Sequence, residues 1–157
     1  MDICAILRKA IKMAERKITV QEKRERRNAL LEILFESEFR KDETPEEIYL
    51  ISSEERELSQ ETCTYVKNMY FDLVDKLEII DGYINKAAEG WKTSRISKLS
   101  LCILRLAVYE MLYVSDVPAV ISINEAVELS KKYDDPKAKS FINGVLNKIK
   151  VTIENNG

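Results

Sequence analysis

The sequence contains no histidine and only four glycines among its 157 residues. Without histidine, the chain lacks the commonest general base of enzymes and the commonest metal ligand. The glycines never cluster, so the chain has no glycine-rich loop that could cradle a phosphate. Its carboxylate pairs coincide with predicted helix starts, where the helix dipole favours negative charge. The sequence therefore predicts a protein without catalytic residues, cofactor or metal.

Proline and cysteine are also scarce, with three of each. So few turn-forming residues exclude a β-sandwich or barrel with many tight turns, and helix is the expected class. Cys4, Cys63 and Cys102 are odd in number and widely spaced, which predicts free thiols in a reducing cytoplasm. No uncharged apolar run approaches the ~18 residues that span a bilayer, and the N-terminus has no signal-peptide pattern. We expect a cytoplasmic protein.

Charge is unevenly distributed along the chain, although the net charge is only −2. Residues 1–27 carry a net charge of +5, and the remaining 130 residues carry −7. A basic end on an acidic body indicates a local anionic partner. The alternative is a solvated helix face without a ligand.

Apolar residues at helical spacing predict an amphipathic helix at the N-terminus. The stripe consists of Ile3, Ile6, Leu7, Ala10, Ile11, Ala14 and Ile18. Thr19 and Glu22 have the spacing of a capping box, so a second helix is predicted to begin there. A single continuous helix through residues 18–22 is the alternative.

The second helix changes from apolar to cationic along one stripe. Leu30, Ile33 and Leu34 lie on the stripe, and helical phase places Lys23, Arg26 and Arg27 on its continuation. Unpaired cations are not expected in a core, so we expect this end of the helix to overhang the packed body. Phosphate groups are the ligands that such cations suit. The candidate RNA-binding residues are Lys23, Arg24, Arg26 and Arg27, with Lys137 and Lys139 as a second cationic spot.

Further helix boundaries follow from capping residues and breakers. Residues 44–47 read as a cap, an N1 proline and a capping-box glutamate, and Ser52 with Glu55 predicts the next start. A break or bend in the helix is expected within 75–82. Asp81-Gly82 could form a turn there, or the helix could continue through these two residues. Gly90-Trp91 predicts a stop, and a strongly apolar helix is expected from 96 to 113.

The last two helices are predicted to begin with a capping box at Ser122–Glu125 and with Asp135-Pro136. A close helix crossing is expected at Gly144, because a glycine inside a helix costs ~1 kcal/mol relative to alanine. Trp91 and Tyr109 are expected to fill the core and not to stack on bases.

From Trp91 to Ile149 the chain resembles the NusB family of bacterial transcription antitermination factors. The strings that carry the resemblance are W-x-x-x-R (Trp91, Arg95), ILRLAVYEML, DVPAVISINEAVELSKKY and FINGVLNKI. KRERRNALLEILF, from Lys23 to Phe35, looks like the arginine-rich helix of that family. The resemblance covers about residues 22–150.

The resemblance implies an all-α fold of about seven to eight helices in two small bundles, with residues 1–20 as an extra N-terminal helix. Residues 21–157 would form one NusB-like domain with subbundles of about 21–80 and 81–157. It also implies binding of boxA-type single-stranded RNA together with NusE, a small-subunit ribosomal protein, in an RNA polymerase antitermination complex on ribosomal RNA operons. Phe141 would join the RNA contacts, and Phe35 and Ser100 would face NusE.

Two departures from the family pattern leave alternatives open. Ser100 stands where relatives often have an acidic residue, which favours a protein-interaction module that has lost RNA binding as the second hypothesis. The extra N-terminal helix is expected to cover apolar surface on its own molecule or on a second copy, with a membrane surface as the alternative. An RNA methyltransferase is excluded because the chain has no glycine-rich cofactor loop.

Overall fold

The computed structural model describes residues 2–15, 17–54, 56–91, 96–133 and 136–156, without the side chains of 13–15. Within these ranges the chain forms eight α-helices and no strand, so the expected all-α class is confirmed. The helices are α1 (Ile3–Glu15), α2 (Val20–Ser37), α3 (Pro45–Ser53), α4 (Gln60–Asp75), α5 (Leu77–Ala87), α6 (Lys98–Tyr113), α7 (Ala119–Tyr133) and α8 (Pro136–Asn156).

Helix α6 lies at the centre of the fold, packed against α2, α5, α7 and α8. Its apolar residues are buried on nearly all sides, as a helix without a polar face requires. Helices α2, α3 and α4 pack on one another, and α5, α6, α7 and α8 form the other group. The contact between α2 and α6 joins the two groups. The residues that align these two helices therefore also position the basic first turns of α2.

The starts of α2 and α3 follow the predicted capping boxes. Thr19 and Glu22 exchange both capping hydrogen bonds, as do Thr44 and Glu47. Ser52 is not a helix start, because it lies buried in α3 and its hydroxyl donates to the carboxylate of Glu36. Ser59 caps α4 instead; Glu55, the other half of the predicted box, lies outside the described residues.

The predicted start of α7 at Ser122 is also wrong, because the helix begins three residues earlier, at Ala119. Ser122 is buried inside it, and its hydroxyl donates to Glu110 of α6 at 2.8 Å. A hydroxyl that finds a buried carboxylate does not need to cap a helix. For α8, Pro136 is the first residue as expected, and Asp135 lies outside the described residues.

The expected bend falls at Lys76, between α4 and α5. Gly82 lies within α5, so the chain continues through Asp81-Gly82 instead of turning there. Gly90 follows the end of α5 with φ of +90°, a conformation that favours glycine. The predicted stop at Gly90-Trp91 is confirmed by this geometry.

The apolar stripe of α1 faces solvent. Ile3 is 71% exposed, and Ile6, Leu7 and Ile11 are each at least half exposed. The expectation that α1 covers apolar surface of its own molecule is therefore wrong for these residues; the side chain of Ala14 lies outside the described set. Of the residues described, none belongs to a helix long and apolar enough to cross a membrane.

The three cysteines are free thiols in different surroundings. Cys4 is exposed, Cys63 is half-buried and Cys102 is buried. Burial raises the pKa of the Cys102 thiol to about 12, so it stays protonated and packs as a small apolar residue.

Candidate nucleic-acid interface

The capping box at the start of α2 sets the position of the first basic residues. Glu22 N–H donates to Thr19 Oγ1 at 3.1 Å, and Thr19 N–H donates to Glu22 Oε2 at 2.8 Å. Lys23 and Arg24 follow directly and are both exposed. The cap thus fixes where the helix begins and presents two cations on its first turns.

Arg24 keeps half of its side chain exposed while it contacts α7. Its side chain is 52% exposed, and Nη2 lies 3.3 Å from Glu125 Oε1. Nε also donates to both carboxylate oxygens of Glu125, each at 3.4 Å. The contacts are long for an ion pair, and only the arginine is well exposed, since the Glu125 side chain is 16% exposed. The Arg24 guanidinium therefore stays accessible to an anionic ligand.

Arg27 does not overhang the body; it is buried in an ion pair with Glu110 of α6. Nε donates to Oε1 at 2.7 Å and Nη2 to Oε2 at 3.3 Å, in a two-pronged arrangement. Ser122 of α7 donates to the same carboxylate. The expectation of an overhanging end is wrong here, because helical phase could not reveal the carboxylate that α6 supplies.

Arg26 is buried as well, against α4. Its guanidinium carbon lies 3.9 Å from the ring centroid of Tyr65, and Nη2 lies 3.8 Å from Glu61 Oε1. Nε makes no hydrogen bond to any described residue. An aromatic face and a carboxylate let this cation enter the interior, so the overhang expectation is wrong for Arg26 as well.

A polar groove of about 260 Å³ runs between α2 and α7, beside the exposed arginine. Its polar lining includes Gln21, Arg24, Asn28, Glu125, Glu128 and Lys132. Lys132 was not selected from the sequence. Its spacing from Glu125 and Glu128 puts it on the same face of α7. The sequence alone does not reveal that this face lies against α2, so it does not identify Lys132 as a groove residue.

The first turns of α8 carry the second predicted cationic spot. Lys137 and Lys139 are exposed, whereas Phe141 is buried and only 9% exposed. Lys137 and Phe141 are four residues apart and therefore share a helix face. The structure thus presents two lysines to solvent and leaves Phe141 almost entirely covered.

Trp91 and Tyr109 differ in burial. Tyr109 is buried, as expected, and its hydroxyl donates to the carboxylate of Asp72. Trp91 is 46% exposed, so the expectation that it fills the core is wrong. The indole packs on Phe141 and on Gly144. The close approach of this ring, and not the expected helix crossing, is the reason for a glycine at position 144. Arg95, the other residue of its motif, lies outside the described residues.

The residues expected to face a protein partner are not equally accessible. Phe35 is half-buried and stacks edge-on against Phe39 at 5.1 Å, and Phe39 is 63% exposed. Ser100 is 2% exposed and its N–H donates to the N-cap hydroxyl of Ser97. Lys98 Nζ lies 4.5 Å from the Phe39 ring centroid. Phe39, one helical turn after Phe35, is the exposed aromatic that sequence reasoning missed.

The chemistry of this surface is that of binding. Among the residues described, no group of three or more Cys, Asp or Glu side chains could hold a metal ion. The exposed cations at the starts of α2 and α8 offer charge to phosphates. The buried pairs at Arg26 and Arg27 hold α2 against α4 and α6, and so position that charge.

Comparison with known proteins gives a consistent result. The family model described as "NusB family" matches residues 24–150. The transcription antitermination protein NusB of Ruminiclostridium cellulolyticum is 38% identical over 127 residues, which cover 81% of this chain and 87% of that protein. The NusB of Enterococcus faecalis is 36% identical over 151 residues, covering 91% and 96%.

Solved structures show the same likeness. A structure of T. maritima NusB superimposes with a TM-score of 0.72 at 31% identity, over 81% of this chain and 89% of that one. A crystal structure of the antitermination factors NusB and NusE in complex with double-stranded RNA matches with a TM-score of 0.74 at 26% identity, over 85% and 99%. The helix α1 precedes the segment that the family model matches.

Proposed function

The chain belongs to the NusB family, and on this premise we propose that it is an RNA-binding transcription antitermination factor without enzymatic activity. Its ligand is boxA-type single-stranded RNA, and its protein partner is NusE. It acts with RNA polymerase on ribosomal RNA operons, in the cytoplasm. The observation that carries the proposal is the exposed pair Lys23 and Arg24 at the start of α2, on a chain whose remainder is acidic.

The basic residues would have two roles: some contact the RNA and others hold α2 in place. Lys23 and Arg24 are exposed and would contact phosphates, with Lys137 and Lys139 at the start of α8. Arg26 and Arg27 are buried and engaged by neighbouring helices, so they act on RNA through the position of α2. Phe141 is buried beside these lysines and would act by supporting this part of the surface.

A mobility-shift titration with boxA-type RNA, with and without NusE, tests the proposal at two salt concentrations. We expect binding that weakens as salt rises, because neutralised phosphates release counterions. Arg24→Ala should weaken it, whereas Arg40→Ala should not, since Arg40 lies beyond the far end of α2 and pairs with Glu36 and Glu43. Equal effects of the two variants would refute the site, and no shift by the unsubstituted chain would refute RNA binding.

A protein-interaction module without RNA binding is the second candidate. The ring of Phe39, which is 63% exposed and packs edge-on against Phe35, supports it, because an exposed aromatic ring is a common anchor for a protein partner. Partners captured before and after ribonuclease treatment separate the two functions. Capture of NusE that survives ribonuclease, with no mobility shift on RNA, would favour the module.

A second copy of the chain is the proposed cover for the apolar stripe of α1. The support is the exposure of Ile3, Ile6, Leu7 and Ile11, whose side chains the described residues of the same molecule leave uncovered. Light scattering of the full chain and of a chain lacking residues 1–17 tests it. A dimer that disappears with the deletion is expected; a monomer in both cases would refute the homodimer.

A further inference from the structure

Trp91 is the only tryptophan of the chain, and its position is fixed although it is half exposed. Gly90 turns the backbone with φ of +90°, and Trp91 N–H donates to the carbonyl oxygen of Ala88 at 2.9 Å. Single exposed apolar residues are common on protein surfaces. The exposure of Trp91 alone therefore does not indicate a binding site. The evidence for one is the way in which other residues hold the ring in place.

The ring rests on α8 at two points. The Trp91 and Phe141 ring centroids are 5.1 Å apart and the ring planes meet at 73°, an edge-to-face contact. A Cβ added to Gly144 would lie 3.3 Å from Cζ2 of the indole, tighter than ordinary contact. Glycine thus lets the indole approach the backbone of α8, and Trp91 as a whole is still 46% exposed.

The same helix face carries positive charge. Lys137, Phe141 and Gly144 are spaced by four and then three residues, so they lie along one stripe of α8. Lys137 and Lys139 are exposed at the beginning of this helix. Of the two, Lys137 shares the stripe on which the ring rests, whereas Lys139 lies on another side of the helix. An aromatic ring on the same helix face as a cation is a combination by which proteins hold single-stranded nucleic acid, with bases stacked on rings and phosphates near cations.

We propose that the indole of Trp91 stacks on one unpaired base of the bound RNA, held in place by Phe141 and Gly144. This inference rests on the proposed function and adds a base contact to a face otherwise made of phosphate contacts. Stacking needs a base with a free face, and inside a duplex the neighbouring base pairs cover both faces of each base. The contact therefore makes the protein prefer single-stranded over duplex RNA, with little dependence on which base is bound.

Intrinsic fluorescence reports this contact directly, because no other tryptophan contributes. A boxA-type RNA oligonucleotide should quench Trp91 emission, with a midpoint that coincides with the mobility shift. The same oligonucleotide annealed to its complement should quench less. Quenching by the duplex equal to that by the single strand would overturn stacking. Quenching by NusE alone, with none by RNA, would assign the ring to a protein partner and also overturn it.

Substitutions separate stacking from a structural role. Trp91→Leu keeps an apolar side chain on Phe141 and Gly144 but has no aromatic face, so RNA affinity should fall about 5- to 100-fold. Trp91→Phe should restore most of the affinity. Val151→Ala, which removes an exposed apolar side chain near the other end of α8, should leave RNA affinity unchanged. Circular dichroism should show the same helix content in all three variants.

The results also distinguish this inference from the proposed function. If Arg24→Ala loses RNA while Trp91→Leu binds as tightly as the unsubstituted chain, the stacking contact is refuted and the RNA-binding function stands. If the unsubstituted chain neither shifts RNA nor changes its fluorescence, both are refuted. Loss of binding in Trp91→Leu, with recovery in Trp91→Phe, supports both.

Discussion

The guanidinium of Arg27 lies against the carboxylate of Glu110 with Nε 2.7 Å from Oε1, and both side chains are buried. This pair joins α2 to the central helix α6, and the hydroxyl of Ser122 brings α7 to the same carboxylate. Three helices are thereby aligned by one acidic residue. The exposed residues Lys23 and Arg24 lie about one turn away from the pair, so their position depends on it.

Removing one member of this pair should destabilise the protein strongly. Glu110→Gln leaves a buried guanidinium without its counter-charge, which typically costs ~3–5 kcal/mol. Denaturant unfolding followed by circular dichroism measures the loss. The double variant Arg27→Met with Glu110→Leu removes both charges and should recover much of it. A single variant that unfolds at the same denaturant concentration as the unsubstituted chain would contradict the role given to the pair.

Stability should fall in acid through the carboxylate of Glu38. Burial raises the pKa of Glu38, but hydrogen bonds from Lys41 and Arg105 outweigh burial and leave the pKa below its ordinary value. A lowered folded-state pKa contributes stability above the unfolded-state value, about 4.3 for Glu. That stability is lost as pH falls through the folded-state pKa. Unfolding curves between pH 7 and pH 3 measure the decline, and Glu38→Gln should make the decline shallower.

The two lysines at the start of α8 should contribute to RNA affinity through charge. Replacing Lys137 and Lys139 together by alanine should reduce the dependence of log affinity on log salt by about 1.4, since each single-strand phosphate contact contributes about 0.7. Lys150→Ala is the matched control, because Lys150 lies near the other end of α8 and pairs with Glu154. Affinities at four salt concentrations give the slopes. Identical slopes for the double variant and the unsubstituted chain would remove these lysines from the RNA face.

The aromatic pair at the end of α2 should serve NusE and not RNA. Phe39→Ala removes the exposed ring that stacks on Phe35 and lies under Lys98. Exposed aromatic anchors often dominate an interface, so we expect NusE affinity to fall by at least about tenfold. Titration calorimetry with NusE measures it. Unchanged NusE binding would place the partner on another surface.

Most helix boundaries could be predicted from local chemistry. Capping boxes at Thr19 and Thr44 and the proline at Pro136 depend on contacts within one turn, which sequence spacing reveals. The predicted caps at Ser52 and Ser122 were wrong for a single reason. Both hydroxyls bond to carboxylates of other helices, Glu36 and Glu110, and such distant partners leave no local signal.

The sequence by itself determined the helical class, the basic segment and, through its family strings, membership in the NusB family, on which the proposed ligand rests. Tertiary structure decided which basic residues are accessible: Lys23 and Arg24 remain at the surface, whereas Arg26 and Arg27 are buried. It also exposed Trp91 and buried Ser100. The physical reason is that periodicity specifies only the face on which a side chain lies. Whether that face meets water, a carboxylate or an aromatic ring depends on helices that lie far away in sequence.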